Sequence, residues 1–183
     1  MTAHVAPAAP GMDLPAGITA AMTTITGIWR EAGTVARLWA HDPDVWTGKD
    51  EARWLGWLTV AHRQQDRPHR FAALAGEIRS GDFSDAVVLG MGGSSLCPEV
   101  LARTYPKAPG LPRLHVLDST DPAQVAAMRQ RVDLAHTLFF VSSKSGTTLE
   151  PNIFADYFYD QVRAVVGEPE AARRFAAITD PGS

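Results

Sequence analysis

One segment of the chain, residues 142–148, concentrates polar side chains directly ahead of a stretch with helical periodicity. It contains five hydroxyl groups, a glycine and a lysine, contributed by Ser142, Ser143, Lys144, Ser145, Gly146, Thr147 and Thr148. Hydroxyl and backbone N–H donors suit phosphate oxygens, and the positive end of a helix dipole adds to the attraction. This segment, the hydroxyl loop, is therefore predicted to bind a monophosphate. The structural alternative is that it only caps the helix, for which one residue is enough.

A second segment, residues 90–95, is rich in glycine and is called the glycine loop. It reads Gly-Met-Gly-Gly-Ser-Ser between an apolar run and a helical stretch. Glycine lets the backbone approach a ligand closely, and free amides at a helix start form an anion site. Two alternatives stay open. The loop is a tight turn without a ligand, or it belongs to a dinucleotide-binding motif in which Asp118 binds ribose and Ser95 stands at the third glycine position.

Four short apolar runs are predicted to position these loops. They are residues 86–89, 114–117, 138–141 and 176–178. Continuous rather than alternating apolar runs are typical of parallel strands covered on both faces. Helical stretches separate the runs, and Asp121 with Pro122 marks the start of one of them. The pattern predicts an α/β fold over residues 82–183, a doubly wound, three-layer parallel sheet with both loops at the carboxyl ends of strands, where ligands bind.

The first part of the chain has a different pattern. Residues 1–17 hold three prolines among alanines and glycines, which predicts a flexible lead-in. Residues 18–81 show apolar spacings of three and four, which predicts a helical segment. Thr47 and Asp50 resemble a capping box that opens its second helix. All five tryptophans lie between Trp29 and Trp57, and they are predicted to form a core between these helices.

Composition excludes several classes of protein. The chain has 183 residues and a formal net charge of −3 without a basic block, which argues against a nucleic-acid partner. No apolar run approaches the ~20 residues of a membrane helix, so no membrane partner is expected. Residues 1–10 lack the features of a signal peptide, which predicts a cytoplasmic protein. The single cysteine, Cys97, excludes an internal disulfide, and no metal site is predicted.

The two loops together resemble a known family. Residues 143–148 resemble the sugar-phosphate signature of the phosphoglucose isomerases, which share the wider sugar-isomerase fold, and residues 90–94 resemble the first glycine loop of that family. Residues 93–100 and 117–122 are similar to the isomerase half of bacterial bifunctional transaldolase/phosphoglucose isomerase proteins. The resemblance extends from about residue 85 to residue 183.

This resemblance implies a function and a set of site residues. It implies interconversion of glucose 6-phosphate and fructose 6-phosphate through an enediol, without a cofactor. The residues implied to hold the substrate phosphate are Ser143, Lys144, Ser145, Thr147 and Thr148, and those implied to contact the sugar are Gly93 and Ser94. Glu150 matches a glutamate that orients a histidine of the partner subunit, which implies a homodimer with a shared site. The alternative for Glu150 is an acid that only complements the helix dipole.

The groups that move protons in this reaction are expected outside the chain. In the family a glutamate, a histidine, a lysine and an arginine do this work, and the resemblance places all four after the position of Ser183. The α/β part is therefore expected to be incomplete at its carboxyl end, as in a truncated chain, with little or no isomerase activity of its own. Two other functions stay open: a non-catalytic sugar-phosphate sensor, and an NAD-dependent oxidoreductase that uses the glycine loop.

Overall fold

A computed structural model describes residues 14–180 and residue 182, and it divides the chain into two compact units. One unit extends to Pro68, and the other runs from His69 onward. The lead-in expected over residues 1–17 lies mostly outside the described residues, and the first described helix begins at Ala16. The second unit holds the sheet and nearly all of the helix that precedes it.

The first unit is built from short helices. Helix α1 spans Ala16–Glu31, α2 spans Thr34–Trp39 and α3 spans Val60–Gln65. Three 3₁₀ segments lie between α2 and α3, at Pro43–Val45, Glu51–Arg53 and Leu55–Thr59. The capping box predicted at Thr47 and Asp50 is therefore wrong, since no α-helix begins there.

Glu51 explains the conformation of this segment. Its carboxylate accepts hydrogen bonds from the backbone N–H groups of Thr47 and Lys49, each at 2.9 Å, and from the Thr47 hydroxyl. These bonds, the one from the Thr47 hydroxyl first, lower the pKa of Glu51 to about 2. They close a local turn in place of the first turn of a helix, because side chains that bind nearby amides compete with the helical pattern.

The prediction of a tryptophan core is wrong for the described chain. All five tryptophans are exposed, with 43% of the surface of Trp46 and 60% of that of Trp57 accessible. The described residues of the first unit that are buried are Leu55 and Leu58. The 3₁₀ segments divide the predicted second helix, so no continuous helical face forms against which the indole rings would pack.

The second unit is an α/β sandwich with a parallel sheet. Helix α4, Pro68–Ser80, precedes the sheet. The strands are β1 at Asp85–Gly90, β2 at Arg113–Leu117, β3 at Thr137–Ser142 and β4 at Phe175–Ile178. The helices between them are α5 at Gly93–Thr104, α6 at Pro122–Arg131 and α7 at Leu149–Val166. The strand order is β2-β1-β3-β4 with helices on both sides, which confirms the predicted fold class.

The core of this unit lies where α7 covers β1 and β3. Val87 and Leu89 of β1, Phe139 of β3 and Phe158 of α7 are fully buried. The ring centroids of Phe139 and Phe158 lie 5.1 Å apart, and Phe175 of β4 stacks on Phe139 at 4.9 Å. Full burial of each such side chain contributes roughly 1.5–3 kcal/mol. The core therefore fixes β3 relative to α7, the two elements that flank the hydroxyl loop.

Candidate functional site

The strand order brings the two loops together. β1 lies between β2 and β3, so the chain changes direction across the sheet between the second and third strands. Gly90, the last residue of β1, is the register partner of Ser142, the last residue of β3. Both loops therefore leave the sheet at neighbouring positions. In open α/β sheets this switch point is where ligands bind.

The hydroxyl loop is held from below by the end of β4. The Ser143 N–H donates to the Ile178 carbonyl at 3.0 Å. The Lys144 carbonyl accepts from the Asp180 N–H at 3.1 Å and from the Thr179 hydroxyl at 3.4 Å. The sequence shows the end of β4 but not that Thr179 and Asp180 brace this loop, because the contact joins residues about 35 positions apart.

A tight turn gives the loop its shape. The Gly146 N–H donates to the Ser143 carbonyl at 3.2 Å, and Gly146 has a φ of +68°. Glycine adopts this left-handed conformation without the steric cost that other residues bear. The Asn152 side-chain amide donates to the Gly146 carbonyl at 3.2 Å and fixes the turn to α7. Asn152 was not singled out from the sequence, where it is one polar residue in a helix.

Four of the five hydroxyls form two pairs. The Ser143 hydroxyl donates to that of Thr148 at 2.9 Å, and the hydroxyls of Ser145 and Thr147 lie 2.9 Å apart. Ser143 is buried, whereas Ser145 and Thr147 are exposed to solvent. Ser142 belongs to β3 and is buried. The loop thus presents an ordered group of hydroxyls, with the exposed pair accessible to a ligand.

These hydroxyls do not cap α7. Thr148 occupies the N-cap position and makes no side-chain cap hydrogen bond. Helix α6 gives the contrast, because the Asp121 carboxylate there accepts from the N–H groups of Ala123 and Gln124 at 2.9 and 3.1 Å. The first amides of a helix have no partner within the helix. The third residue of α7, Pro151, has no N–H, so those of Leu149 and Glu150 are the first-turn donors left for an anion, and capping does not account for this cluster of hydroxyls.

The charged residues of the loop region lie on either side of this helix start. Lys144 is exposed on the loop, and Glu150 is half-buried in the first turn of α7. A lysine ammonium and a helix amino terminus both attract a phosphate dianion. Glu150 competes for the same helix dipole. Lys144 thus precedes the N-cap residue Thr148, and Glu150 follows it; their roles in binding stay predictions.

The glycine loop turns directly into α5. Gly90 has little space for a side chain, since a Cβ atom there would lie 3.1 Å from the Ser94 carbonyl oxygen and the backbone would have to shift. Ser95 is buried, and its hydroxyl donates to the Gly92 carbonyl at 2.9 Å. By contrast, a Cβ atom on Gly93 would meet nothing within 4 Å. Gly93 and Ser94 form the first turn of α5 and border open space at the switch point.

Comparison with known protein families identifies the relationship. Residues 63–181 match the family described as Phosphoglucose isomerase, which is well over half of the chain. The chain belongs to the phosphoglucose isomerase family. Both loops lie inside the matched residues. This assignment confirms the resemblance and leaves the dinucleotide-binding alternative without support.

Individual members of the phosphoglucose isomerase family show the same relationship. The glucose-6-phosphate isomerase of Chlamydia muridarum is 34% identical over 170 residues, which are 90% of this chain and 30% of that protein. That of Cupriavidus metallidurans is 36% identical over 124 residues, 60% of this chain and 22% of that protein. The chain therefore spans less than a third of the length of these curated relatives.

Solved structures agree with the family assignment. The crystal structure of a glucose-6-phosphate isomerase from Chlamydia trachomatis superposes with a TM-score of 0.58 at 30% identity, covering 82% of this chain and 27% of that one. A hypothetical protein from Thermus thermophilus gives a TM-score of 0.64 at 25% identity, covering 90% of this chain and 36% of that one.

None of the described helices is long and apolar enough to cross a membrane.

Proposed function

We propose that this chain is the part of a glucose-6-phosphate isomerase that binds the substrate phosphate. The observation that carries the proposal is the uncapped start of α7, where Thr148 makes no cap bond although its hydroxyl accepts a hydrogen bond from that of Ser143. A phosphate dianion at this position accepts hydrogen bonds from the hydroxyls and the first amides of α7. Lys144 adds a positive charge beside it.

The sugar is proposed to extend from the phosphate toward the glycine loop. The register pairing of Gly90 with Ser142 makes the two loops neighbours. The open space at Gly93 gives room for the sugar against the α5 backbone, and Ser94 offers a hydroxyl and an amide. Phosphate at one loop and sugar at the other fix the substrate at both ends. Such positioning is a large part of catalysis, because it removes the entropic cost of orientation.

The isomerisation itself requires groups that move protons. A base removes the proton on C2, an enediol forms, and a proton returns to C1. Donors near the carbonyl oxygen stabilise the charge that develops during this transfer. We propose that these groups come from parts of family members that have no counterpart in this chain. The basis is the resemblance, together with the small share of the relatives that the chain spans.

We also propose a role for Glu150 in a homodimer. Glu150 is half-buried and is the second residue of α7, in the same helical turn whose amides are proposed to bind the phosphate. An anion so close to a phosphate weakens binding unless a cation lies between them. A histidine of a partner subunit, hydrogen-bonded to Glu150, would supply that cation. Orientation of this histidine is the proposed function of Glu150.

A calorimetric titration tests the proposal that phosphate is the recognised group. Glucose 6-phosphate and glucose are titrated separately into the folded chain at the same low ionic strength. Glucose 6-phosphate is expected to bind and glucose to give no heat, since the phosphate supplies the charge-assisted hydrogen bonds. Equal binding of the two sugars would show that the hydroxyl loop does not recognise phosphate.

A further inference from the structure

A polar cleft lies at the amino ends of the strands, whereas both loops lie at their carboxyl ends. It has a volume of about 430 Å³ and lies at the amino ends of β1 and β2, where Asp85 and Arg113 are register partners. β1 is six residues long. At ~3.3 Å per residue the two ends of β1 are separated by nearly 20 Å, so one phosphate cannot contact both the cleft and the two loops.

Three cations line this cleft. They are Lys107, Arg113 and Arg131, and each is exposed to solvent. None of the three forms an ion pair with a carboxylate in the described part of the chain. A fourth cation lies beside them, because a Cβ atom on Gly110, which also lines the cleft, would be 3.7 Å from Cγ and Cδ of Arg79. The cations outnumber the one carboxylate among the lining residues, Asp85, so they repel one another, and an anion would relieve this repulsion.

The one carboxylate that lines the cleft, Asp85, offsets only part of this charge: the charge of Arg113 helps to lower its pKa, but Arg113 forms no ion pair with it. Asp85 is largely buried, and its two oxygens are bound to His115 Nε2 and to the Ser84 hydroxyl, each at 2.7 Å. His115 is itself buried against β1. Both carboxylate oxygens of Asp85 thus form hydrogen bonds with residues on β1 and β2 or beside them. With three cations against this single carboxylate, the cleft keeps a net positive charge.

We propose that this cleft is a second anion site, which binds a multiply phosphorylated small molecule. One arginine guanidinium group can donate two parallel hydrogen bonds to two oxygens of the same phosphate. Three cations that line one cleft therefore match the charge of several linked phosphates better than that of a single phosphate. The volume lies in the range of small-molecule sites. The cations line one concave cleft in a chain whose formal net charge is −3, which favours a small molecule over nucleic acid. This site is independent of the hydroxyl loop and of the proposed isomerase function.

Calorimetric titration of tripolyphosphate into the Ser145→Ala variant tests this proposal. This substitution is expected to weaken phosphate binding at the hydroxyl loop, so that binding at the cleft is measured. Two double variants are compared in this background. Arg113→Ala with Arg131→Ala removes two cations of the cleft. Arg163→Ala with Arg173→Ala removes equal charge from two exposed ion pairs that do not line the cleft. Circular dichroism establishes that each variant is folded, and Lys107→Ala serves as a milder second variant.

The cleft variant is expected to weaken tripolyphosphate binding by at least about tenfold, and Lys107→Ala by a smaller factor in the same direction. The control variant is expected to change the affinity by less than about threefold, because exposed charges outside a site contribute little. Equal weakening in both double variants would show a general charge effect and overturn the proposal. Absence of tripolyphosphate binding to the folded background chain would also overturn it.

Discussion

Gly90 and Ser142 lie opposite each other at the carboxyl ends of two neighbouring parallel strands. From this pair the glycine loop enters α5 and the hydroxyl loop enters α7, so two helix amino termini begin at one place on the sheet. Each terminus carries partial positive charge. This arrangement supports the proposal that one loop binds the phosphate and the other borders the sugar.

Gly93→Ala is expected to weaken glucose 6-phosphate binding without loss of stability. The new methyl group enters open space at the switch point, where the sugar is proposed to lie. Gly76→Ala in α4 is the matched control, since a Cβ atom there also meets nothing within 4 Å. Alanine in a helix is favoured over glycine by up to about 1 kcal/mol, so neither variant is expected to unfold more readily. If calorimetry gave equal affinities for Gly93→Ala and Gly76→Ala, the sugar would not lie against Gly93.

Asp121→Ala is expected to lower the free energy of unfolding by about 0.5–2 kcal/mol, as the loss of a helix cap does. The Asp121 carboxylate holds the N–H groups of Ala123 and Gln124 at the start of α6. Ser145→Ala, ahead of the uncapped helix α7, is expected to cost less than about 0.5 kcal/mol because Ser145 is exposed. Urea unfolding of both variants measures the difference. If Ser145→Ala lowered the free energy of unfolding by more than Asp121→Ala does, the Ser145 hydroxyl would serve mainly to stabilise the fold.

The acid stability of the second unit is expected to depend on Asp85. Burial raises its pKa, but hydrogen bonds from His115 and Ser84 outweigh burial and hold the pKa below its ordinary value. A carboxyl group with a lowered folded-state pKa stabilises the fold above its unfolded pKa of about 3.9, and this contribution is lost as the pH falls through the folded pKa. Asp85→Asn is therefore expected to cost about 1–3 kcal/mol at neutral pH.

Urea unfolding at several pH values checks this expectation. The difference between the wild type and Asp85→Asn should begin to shrink below about pH 4, where the carboxyl of the unfolded chain becomes protonated, and should reach its minimum below the lowered folded-state pKa. Asp160→Asn is the control, since its ion pair with Arg163 is exposed, and it should cost less than about 1 kcal/mol at any pH. A difference for Asp85 that does not change with pH would contradict the assignment of its charge.

Much of the α/β part was predictable from local sequence. The four apolar runs became β1 to β4 with bounds that differ by at most one residue, since buried parallel strands need continuous apolar runs. Asp121 caps α6 and Pro122 begins it, as expected. The hydroxyl loop follows β3 and precedes α7 as predicted, because its position depends only on these two neighbours in sequence.

Contacts between distant residues were not predictable in this way. The strand order, which makes Gly90 and Ser142 partners, and the bracing of Lys144 by Asp180 both join separate parts of the chain. The tryptophan core was predicted wrongly, because apolar spacing shows which helix face is apolar but not whether another layer covers it.

A coupled assay of turnover tests the division between binding and chemistry. The purified chain is expected to bind glucose 6-phosphate and to show no conversion to fructose 6-phosphate, because binding of the phosphate needs the hydroxyl loop whereas the reaction needs a positioned base. A full-length isomerase of the family serves as the positive control. Turnover by the chain that Ser145→Ala abolishes would place the proton-moving groups within these 183 residues.

The most direct test of the phosphate site is calorimetric titration with glucose 6-phosphate of the wild type, Ser145→Ala and Ser80→Ala. Ser80 is the control, an exposed serine in α4 whose hydroxyl donates only to a backbone carbonyl, that of Glu77 at 3.0 Å. Loss of a hydrogen bond to a charged ligand costs about 1.5–3 kcal/mol. We therefore expect Ser145→Ala to weaken binding by at least about tenfold and Ser80→Ala to leave it unchanged. Equal affinities for the two variants, or no binding by the folded wild-type chain, would contradict the account.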